Sequence, residues 1–231
     1  MHASPRYRAV VFDLIDTLTV PYDDADFSST VAAMAGALGT GARELADAWD
    51  RNWPGLLRGV FPDTGAAMRQ ACQDLGIAVS PPQTEAAGGA WDGYLRRASA
   101  LRPDAVTTLR AVREAGHKIG LISDCVPGVP LLWRGMPAAP LVDAAVFSCE
   151  VRLTKPDREI YLLACERLGV PAQACMYVAD GVGRELTGAA EVGMAAVLLR
   201  AGQPPNAFRR DAREWRGPAV GALAEVLDLL R

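Results

Sequence analysis

Apolar residues fall along the chain in short runs separated by segments of helical period. Ala9–Phe12 is a valine-rich run without polar alternation, the pattern of a strand buried on both faces, and it stops at Asp13. Lys118–Ser123, Ala144–Ser148, Met176–Ala179 and Met194–Leu199 repeat the pattern. Helical segments lie between them. Pro103 and Asp104 open one that runs through Glu114 and is closed by Gly116. A second spans Pro156 to Leu168 with Gly169 behind it, a third Leu186 to Val192, and an amphipathic fourth closes the chain from Ala219 to Leu230.

The stretch from about Asp26 to Ala100 differs. Met34, Leu38, Leu45, Trp49, Trp53 and Leu57 recur at three- and four-residue spacings, as do Ala67, Met68, Ala71, Cys72 and Leu75. Gly76 and Ser80-Pro81-Pro82 punctuate it, and no strand pattern interrupts it. Strands alternating with helices elsewhere predict an α/β fold, a Rossmann-like doubly wound parallel sheet. Residues 1–20 and 101–231 form this core, and residues 21–100 an inserted all-helical unit. Trp49, Trp53 and Trp91 are expected in the interior of that insert.

A length of 231 residues suits one large domain or a domain with an insert, and a composition half hydrophobic supports a substantial core. The net charge of -3 provides no electrostatic footprint for nucleic acid. The N-terminus lacks the apolar core of a signal peptide, and no run approaches the ~18 apolar residues of a spanning helix. No membrane partner is therefore expected. The five cysteines are odd in number, scattered and free of Cys-x-x-Cys pairs, which fits a reducing cytoplasm rather than a disulfide framework or zinc site. His2 and His117 are the only histidines, so histidine catalysis has little to draw on.

Three predicted strands end in polar groups, at Asp13, Ser123 and Asp180. In an open parallel sheet, ligands bind beyond the carboxyl ends of the strands. A carboxylate held there can act as a nucleophile; capping a turn is the plainer role for Asp13 and Asp16. Lys155 adds a cation before a helix. Of 24 basic residues only Lys118 and Lys155 are lysine, and a lysine where arginine is the rule suits a compact point charge.

These residues, taken in order, resemble the haloacid dehalogenase superfamily, most of whose members are magnesium-dependent phosphatases. The matching motifs are Phe12-Asp13-Leu14-Ile15-Asp16-Thr17-Leu18, the strand ending at Ser123, Lys155-Pro156-Asp157, and Val178-Ala179-Asp180-Gly181 with Glu185 beyond it. The resemblance implies that Asp13 is the nucleophile and forms an aspartyl-phosphate. It implies that Ser123 holds a phosphoryl oxygen and that Lys155 offsets charge between nucleophile and phosphate. Thr17 and Asp124 fall on the substrate side. Asp13, Asp180 and the Ile15 carbonyl would hold Mg2+, with Glu185 acting on it directly or through water. Magnesium suits such a set, since it needs only one or two carboxylates plus substrate oxygens. The helical insert would be a cap closing over a small phosphate ester or acyl phosphate.

The sequence departs from the pattern at one informative position. The family's phosphatases carry an acid/base aspartate two residues after the nucleophile, and here that residue is Ile15. Asp16 follows, but alternation along an extended segment would turn it away from the face of Asp13. Haloacid dehalogenases also lack that aspartate, because halide leaves without a proton. They need a cap arginine, however: Trp49 is followed by Asp50, with Arg51 and Arg58 as substitutes. They also lack the carboxylate that Asp180 supplies. Phosphonoacetaldehyde hydrolases use a cap lysine, and residues 21–100 contain none. A member kept as an inactive binding protein is a third alternative. Asp124 stands where asparagine is usual, Arg184 where some relatives carry a metal carboxylate, and Cys125 is expected to serve packing.

Overall fold

The computed structural model describes residues 6–21, 23–200 and 210–231. His2 lies outside them, as do residues 1–5 and 201–209 of the expected core. Six parallel strands form one sheet: β1 (Ala9–Phe12), β2 (Lys118–Ser123), β3 (Ala144–Phe147), β4 (Cys175–Ala179), β5 (Ala195–Leu199) and β6 (Ala219–Val220). Their order is β3-β2-β1-β4-β5-β6, so the chain reverses its direction of travel across the sheet at β1. The crevice between β1 and β4 is the switch point where a doubly wound sheet binds its ligand. Asp13 and Asp180 follow these two strands.

Strand alternation divides the interior. Val10 and Phe12 of β1, Ile119 and Leu121 of β2, and Met176 and Val178 of β4 face one core. Ala105, Leu109 and Val112 of α5 (Ala105–Glu114) close that side. Ala9, Val11, Ile122, Tyr177 and Ala179 face the other, covered by α8 (Arg158–Leu168) and α9 (Glu185–Glu191). Successive residues thus serve opposite layers.

Between β1 and α5 lie α1 (Asp24–Leu38), α2 (Ala42–Leu57), α3 (Thr64–Asp74) and α4 (Pro81–Ala98). Asp23 caps α1 by accepting from the Ala25 and Asp26 amides, and Gly39 ends it in the left-handed conformation. Trp49 and Trp91 are fully buried, with ring centroids 5.0 Å apart. Phe27, Trp53 and Tyr94 pack around Trp91 at 5.3–6.3 Å, while Trp53 remains partly exposed. The two connections to the core run side by side. Thr19 bridges antiparallel to Leu101, with Val20 N–H donating to Ala100 (2.8 Å) and Arg102 N–H to Leu18 (2.9 Å). Among the described residues no helix is long and apolar enough to cross a membrane.

Three expectations are corrected. The closing segment is not one helix: Ala219–Val220 pairs with β5 as a sixth strand, and Leu223–Leu230 is a 3-10 helix. Exposed donors on β5 decide this, since Leu198 N–H reaches the Pro218 carbonyl and Arg200 N–H that of Val220. The buried face expected of an amphipathic helix survives in Leu223 and Val226. Ser148 leaves the third strand and begins α7 (Ser148–Val151). The helix expected from Pro156 begins at Arg158, because Asp157 first folds back to accept from Thr154 N–H and hydroxyl at 3.2 and 3.3 Å. A last helix, α10 (Arg210–Glu214), precedes β6, and α6 (Gly128–Arg134) follows β2.

Helical glycines provide a packing test of opposite signs. A Cβ at Gly188 in α9 would approach Pro156 Cβ to 2.8 Å and the Tyr161 hydroxyl to 2.9 Å. A Cβ at Gly88 in α4 would meet nothing within 4 Å. Gly188→Ala should therefore destabilise by ~1–3 kcal/mol, whereas Gly88→Ala should stabilise by ~0.5–1 kcal/mol. Urea midpoints at unchanged m-value measure both; equal shifts would refute the assigned packing.

Candidate active site

Asp13 leaves β1 with its amide donating to Val178 of β4 at 3.0 Å, so the backbone carries it one residue beyond the strand. Its side chain is 5% exposed. The chain then turns sharply. The Leu14 carbonyl accepts from the amides of Thr17, Leu18 and Thr19 at 3.3, 2.9 and 3.0 Å. Asp16 sits at φ +63°, a left-handed conformation that aspartate tolerates better than most residues. Its amide donates to Thr19 Oγ1 at 3.0 Å. Arg102 fixes the turn from outside, donating to the Asp16 and Thr17 carbonyls at 3.0 and 2.9 Å. This corrects the premise used for Asp16: alternation applies to extended backbone, and residues 14–19 are a turn. Asp16 is buried and Ile15 half-buried within it.

Lys155 joins the loops. Its Nζ lies 2.6 Å from Asp13 Oδ1 and 2.6 Å from Glu185 Oε2, with all three side chains buried. Burial alone would drive the ammonium toward neutrality, but Asp13 and Glu185 outweigh it and hold the pKa well above its ordinary value. Lys155 N–H donates to both Asp124 carboxylate oxygens, at 3.0 and 3.2 Å. Asp124 is thereby an acceptor that holds the lysine backbone, and its pKa is pushed up to about 6 by burial, against the pull of Lys155. Asp13 is pushed up to about 7 for the same first reason, with Lys155 opposing and Glu185 reinforcing.

Ser123 ends β2, is fully buried, and its Oγ has no hydrogen-bond partner among the described residues. An orphaned hydroxyl in a buried site suits an incoming acceptor. Thr17 is also fully buried, and its Oγ1 accepts the Asp180 amide at 3.1 Å, tying the loop after β1 to that after β4. Single ligand oxygens of Asp13, Asp180 and Glu185 all lie within 4.8 Å of one another.

Glu185 is fully hydrogen-bonded. Its Oε1 accepts from the Gly181 and Val182 amides at 2.9 and 3.0 Å. Its Oε2 accepts from Lys155 at 2.6 Å and from the Tyr177 hydroxyl at 3.0 Å. Four donors occupy the carboxylate, so its evident work is to hold Lys155 and fold the loop after Asp180. Tyr161 donates to the Glu185 carbonyl at 2.9 Å from α8. Tyr161, Tyr177 and Arg102 are site-supporting residues that sequence reasoning missed; Tyr161 lies on α8 and Arg102 at the second connection to the insert, whereas Tyr177 directly precedes the Val178-Ala179-Asp180 motif.

Other candidates are placed elsewhere. Arg58, beyond α2, pairs with Asp157 at 3.0 Å and is engaged beside the Lys155 motif. Arg51 and Arg184 are exposed. His117 is buried just before β2, with Nδ1 3.0 Å from the Tyr7 carbonyl oxygen, so it serves the opposite end of the sheet. Lys118 extends Nζ to the Leu168 carbonyl at 2.6 Å, capping the C-terminus of α8.

A buried aspartate–lysine pair lies at the switch point of a doubly wound sheet, with a second carboxylate just beyond the neighbouring strand. A family profile for haloacid dehalogenase-like hydrolases matches residues 7–193, and the chain belongs to that family. An (S)-2-haloacid dehalogenase 1 of Pseudomonas sp. (strain CBS-3) is 28% identical over 95% of this chain and 96% of its own length. A glyceraldehyde 3-phosphate phosphatase of Methanopyrus kandleri is 28% identical over 56% of each chain. In fold, a 2-haloacid dehalogenase of Pseudomonas syringae superimposes at TM-score 0.70 over 97% of this chain and 98% of its own, with 23% identity.

The position of Asp124 generates a pH prediction. Its folded pKa, about 6, stands above the ordinary value of 3.8, so the folded state binds the proton more tightly than the unfolded chain. Stability from this group is full below the unfolded value and is lost as pH rises through 6. An asparagine in its place would keep the acceptor for Lys155 N–H without the charge. Asp124→Asn should match wild type near pH 4 and exceed it at pH 8, by up to ~3 kcal/mol. Urea unfolding in chelator at both pH values tests this; a difference independent of pH would refute the assignment.

Proposed function

We propose that the protein is a magnesium-dependent phosphatase that works through an aspartyl-phosphate on Asp13, with residues 21–100 as the cap over a small phosphate ester or acyl phosphate. The observation that carries this reading is the proximity of Asp180 to Asp13 in a buried cluster. Carboxylates grouped in low dielectric around one lysine leave negative charge that a divalent cation would offset. Burial raises the pKa of Asp13, with Lys155 opposing the rise and Glu185 adding to it. Asp13, Asp180 and the Ile15 carbonyl would hold Mg2+, and Glu185, with its carboxylate filled, acts through Lys155. When bound, the metal would neutralise charge on the phosphoryl oxygens and orient the displacement.

The remaining work belongs to the chain. Asp13 attacks phosphorus in line with the leaving oxygen. Lys155 offsets charge between the nucleophile and the phosphoryl group, and the free hydroxyl of Ser123 donates to a phosphoryl oxygen. Thr17 sets the spacing of the β1 and β4 loops, and Asp124 holds Lys155 in place. Ile15 occupies the position of the acid/base, so no carboxyl there protonates the leaving group or activates water.

A dehalogenase is the second reading. It is favoured by Ile15, since halide needs no proton, and by the full-length likeness to an (S)-2-haloacid dehalogenase. It leaves the burial of Asp180 unexplained. Halide release from 2-chloropropionate in the presence of chelator would establish it over the phosphatase.

Calorimetric titration separates the carboxylate roles. Mg2+ affinity should be abolished in Asp180→Ala and retained in Glu185→Gln, which should instead lose turnover by weakening the hold on Lys155. Equal affinity in wild type and Asp180→Ala would exclude the metal site.

Leaving-group dependence follows from Ile15. General acid catalysis is worth ~10²–10⁴-fold, most where the leaving group is poor. Wild type should hydrolyse p-nitrophenyl phosphate or acetyl phosphate and barely touch alkyl phosphates. Ile15→Asp should raise alkyl phosphate turnover by an amount of that order. Rapid wild-type turnover of alkyl phosphates, lost in Asp16→Asn, would instead make Asp16 the acid/base.

A further inference from the structure

Four of the five cysteines stand in two sulfur pairs. Cys165 and Cys175 approach to 4.0 Å under α8, remote from Asp13 at the other end of β4. Cys125 and Cys149 approach to 3.9 Å beside the site, and all five are free thiols. Cys125 follows Ser123 and Asp124 on the loop after β2; Cys149 is the second residue of α7. We infer that Cys125 and Cys149 are an oxidation-sensitive pair, closed to a disulfide by a hydroperoxide, and that closure disables the adjoining site.

The surroundings support both parts. Cys125 is buried, whereas Cys149 is half-buried and open to a small oxidant. The two sulfurs share a contact in which either can be the donor; that contact holds the Cys149 pKa below its ordinary value, while burial pushes that of Cys125 well up. Thiolate character therefore collects on the more accessible sulfur. The Cys149 thiolate would attack a peroxide oxygen, breaking the O–O bond. The displaced oxygen takes the proton Cys149 released and leaves as water or an alcohol. The Cys125 sulfur would then attack the Cys149 sulfenic acid, breaking its S–O bond and passing its own proton to the departing oxygen. Two thiols lose two electrons, and one hydroperoxide gains them.

A disulfide has an S–S length of ~2.05 Å, so the sulfurs must close from 3.9 Å. The loop has little slack to absorb this locally. Cys125 N–H is held on Ser148 Oγ at 2.9 Å, and Asp124 on the Lys155 amide. On the other side, a Cβ at Gly59 would collide with the Cys149 carbonyl, so the segment after α2 rests directly on α7. The displacement passes to Ser123 and Asp124 and toward the insert. Catalytic groups must hold their positions to ~0.5 Å, and a misplacement of about 1 Å can cost ~10²-fold.

The test treats the whole protein with graded hydrogen peroxide, then alkylates and maps peptides by mass, assaying p-nitrophenyl phosphate in parallel. The Cys125–Cys149 peptide should appear as turnover falls by roughly 10²-fold, and both changes should reverse with dithiothreitol. Cys149→Ala should form no such peptide and keep its turnover at the same peroxide dose. Three outcomes would overturn the inference. They are alkylatable Cys125 and Cys149 after Cys165 and Cys175 have oxidised, a Cys125–Cys149 disulfide without loss of turnover, or equal loss in Cys149→Ala. The activity arm rests on the phosphatase reading. Should reduced protein hydrolyse no phosphate ester, that reading fails alone. The peptide map, with amide exchange of the Ser123–Val126 loop as the second readout, then decides the pair.

Discussion

The site depends on a buried ammonium shared by two buried carboxylates. Lys155 Nζ lies 2.6 Å from both Asp13 and Glu185. Removing Lys155 would leave two carboxylates without compensation in low dielectric, a loss of ~3–5 kcal/mol when a buried pair is broken. The three residues come from the end of β1, the loop before α8 and the start of α9. Their association therefore binds the two halves of the doubly wound sheet across the switch point. Tyr177, Tyr161 and the Gly181 and Val182 amides complete the hydrogen bonding of Glu185. A carboxylate so occupied is a rigid counter-charge, which leaves Asp13 and Asp180 to face whatever enters.

Strand alternation makes this arrangement compatible with folding. Side chains of β1 and β4 go to opposite cores within one or two residues, and polar groups appear only where the strands stop. Beyond Phe12 the backbone turns around the Leu14 carbonyl, and Arg102 at the second connection to the insert fastens that turn. The loop after β1 and the two connections to the insert are thus one hydrogen-bonded unit. On the far side, Arg58 of the insert, just after α2, reaches Asp157 of the lysine motif. A partly exposed pair of this kind is worth only ~0–1 kcal/mol.

Excess negative charge is the electrostatic character of the site. Asp13 and Asp124 both have pKa values raised by burial, to about 7 and about 6. Lysine is scarce in this chain, and both copies have assigned work: Lys155 in the site and Lys118 on the C-terminus of α8. The rarity that drew attention to Lys155 in the sequence therefore reflects two separate demands for a compact cation.

The sequence by itself determined the α/β class and five of the six strands. Short apolar runs without alternation read as strands buried on both faces, and Asp13, Ser123 and Asp180 stood at the ends of three of them. Helical periodicity likewise exposed the insert and its buried Trp49 and Trp91. Tertiary structure decided what depends on partners distant in the chain. Ala219–Val220 became a strand because β5 had an open edge, which local pattern does not encode. Residues 14–19 became a turn because one carbonyl gathered three amides, so the alternation argument for Asp16 had no extended backbone to act on. Glu185 was legible as a carboxylate near Asp180, but the four donors that fill it come from Tyr177, the Gly181–Val182 turn and Lys155. Cys125 read as packing until the fold set Cys149 beside it. Periodicity records which face of an element is buried; which group meets which across that interface is fixed only when the elements pack.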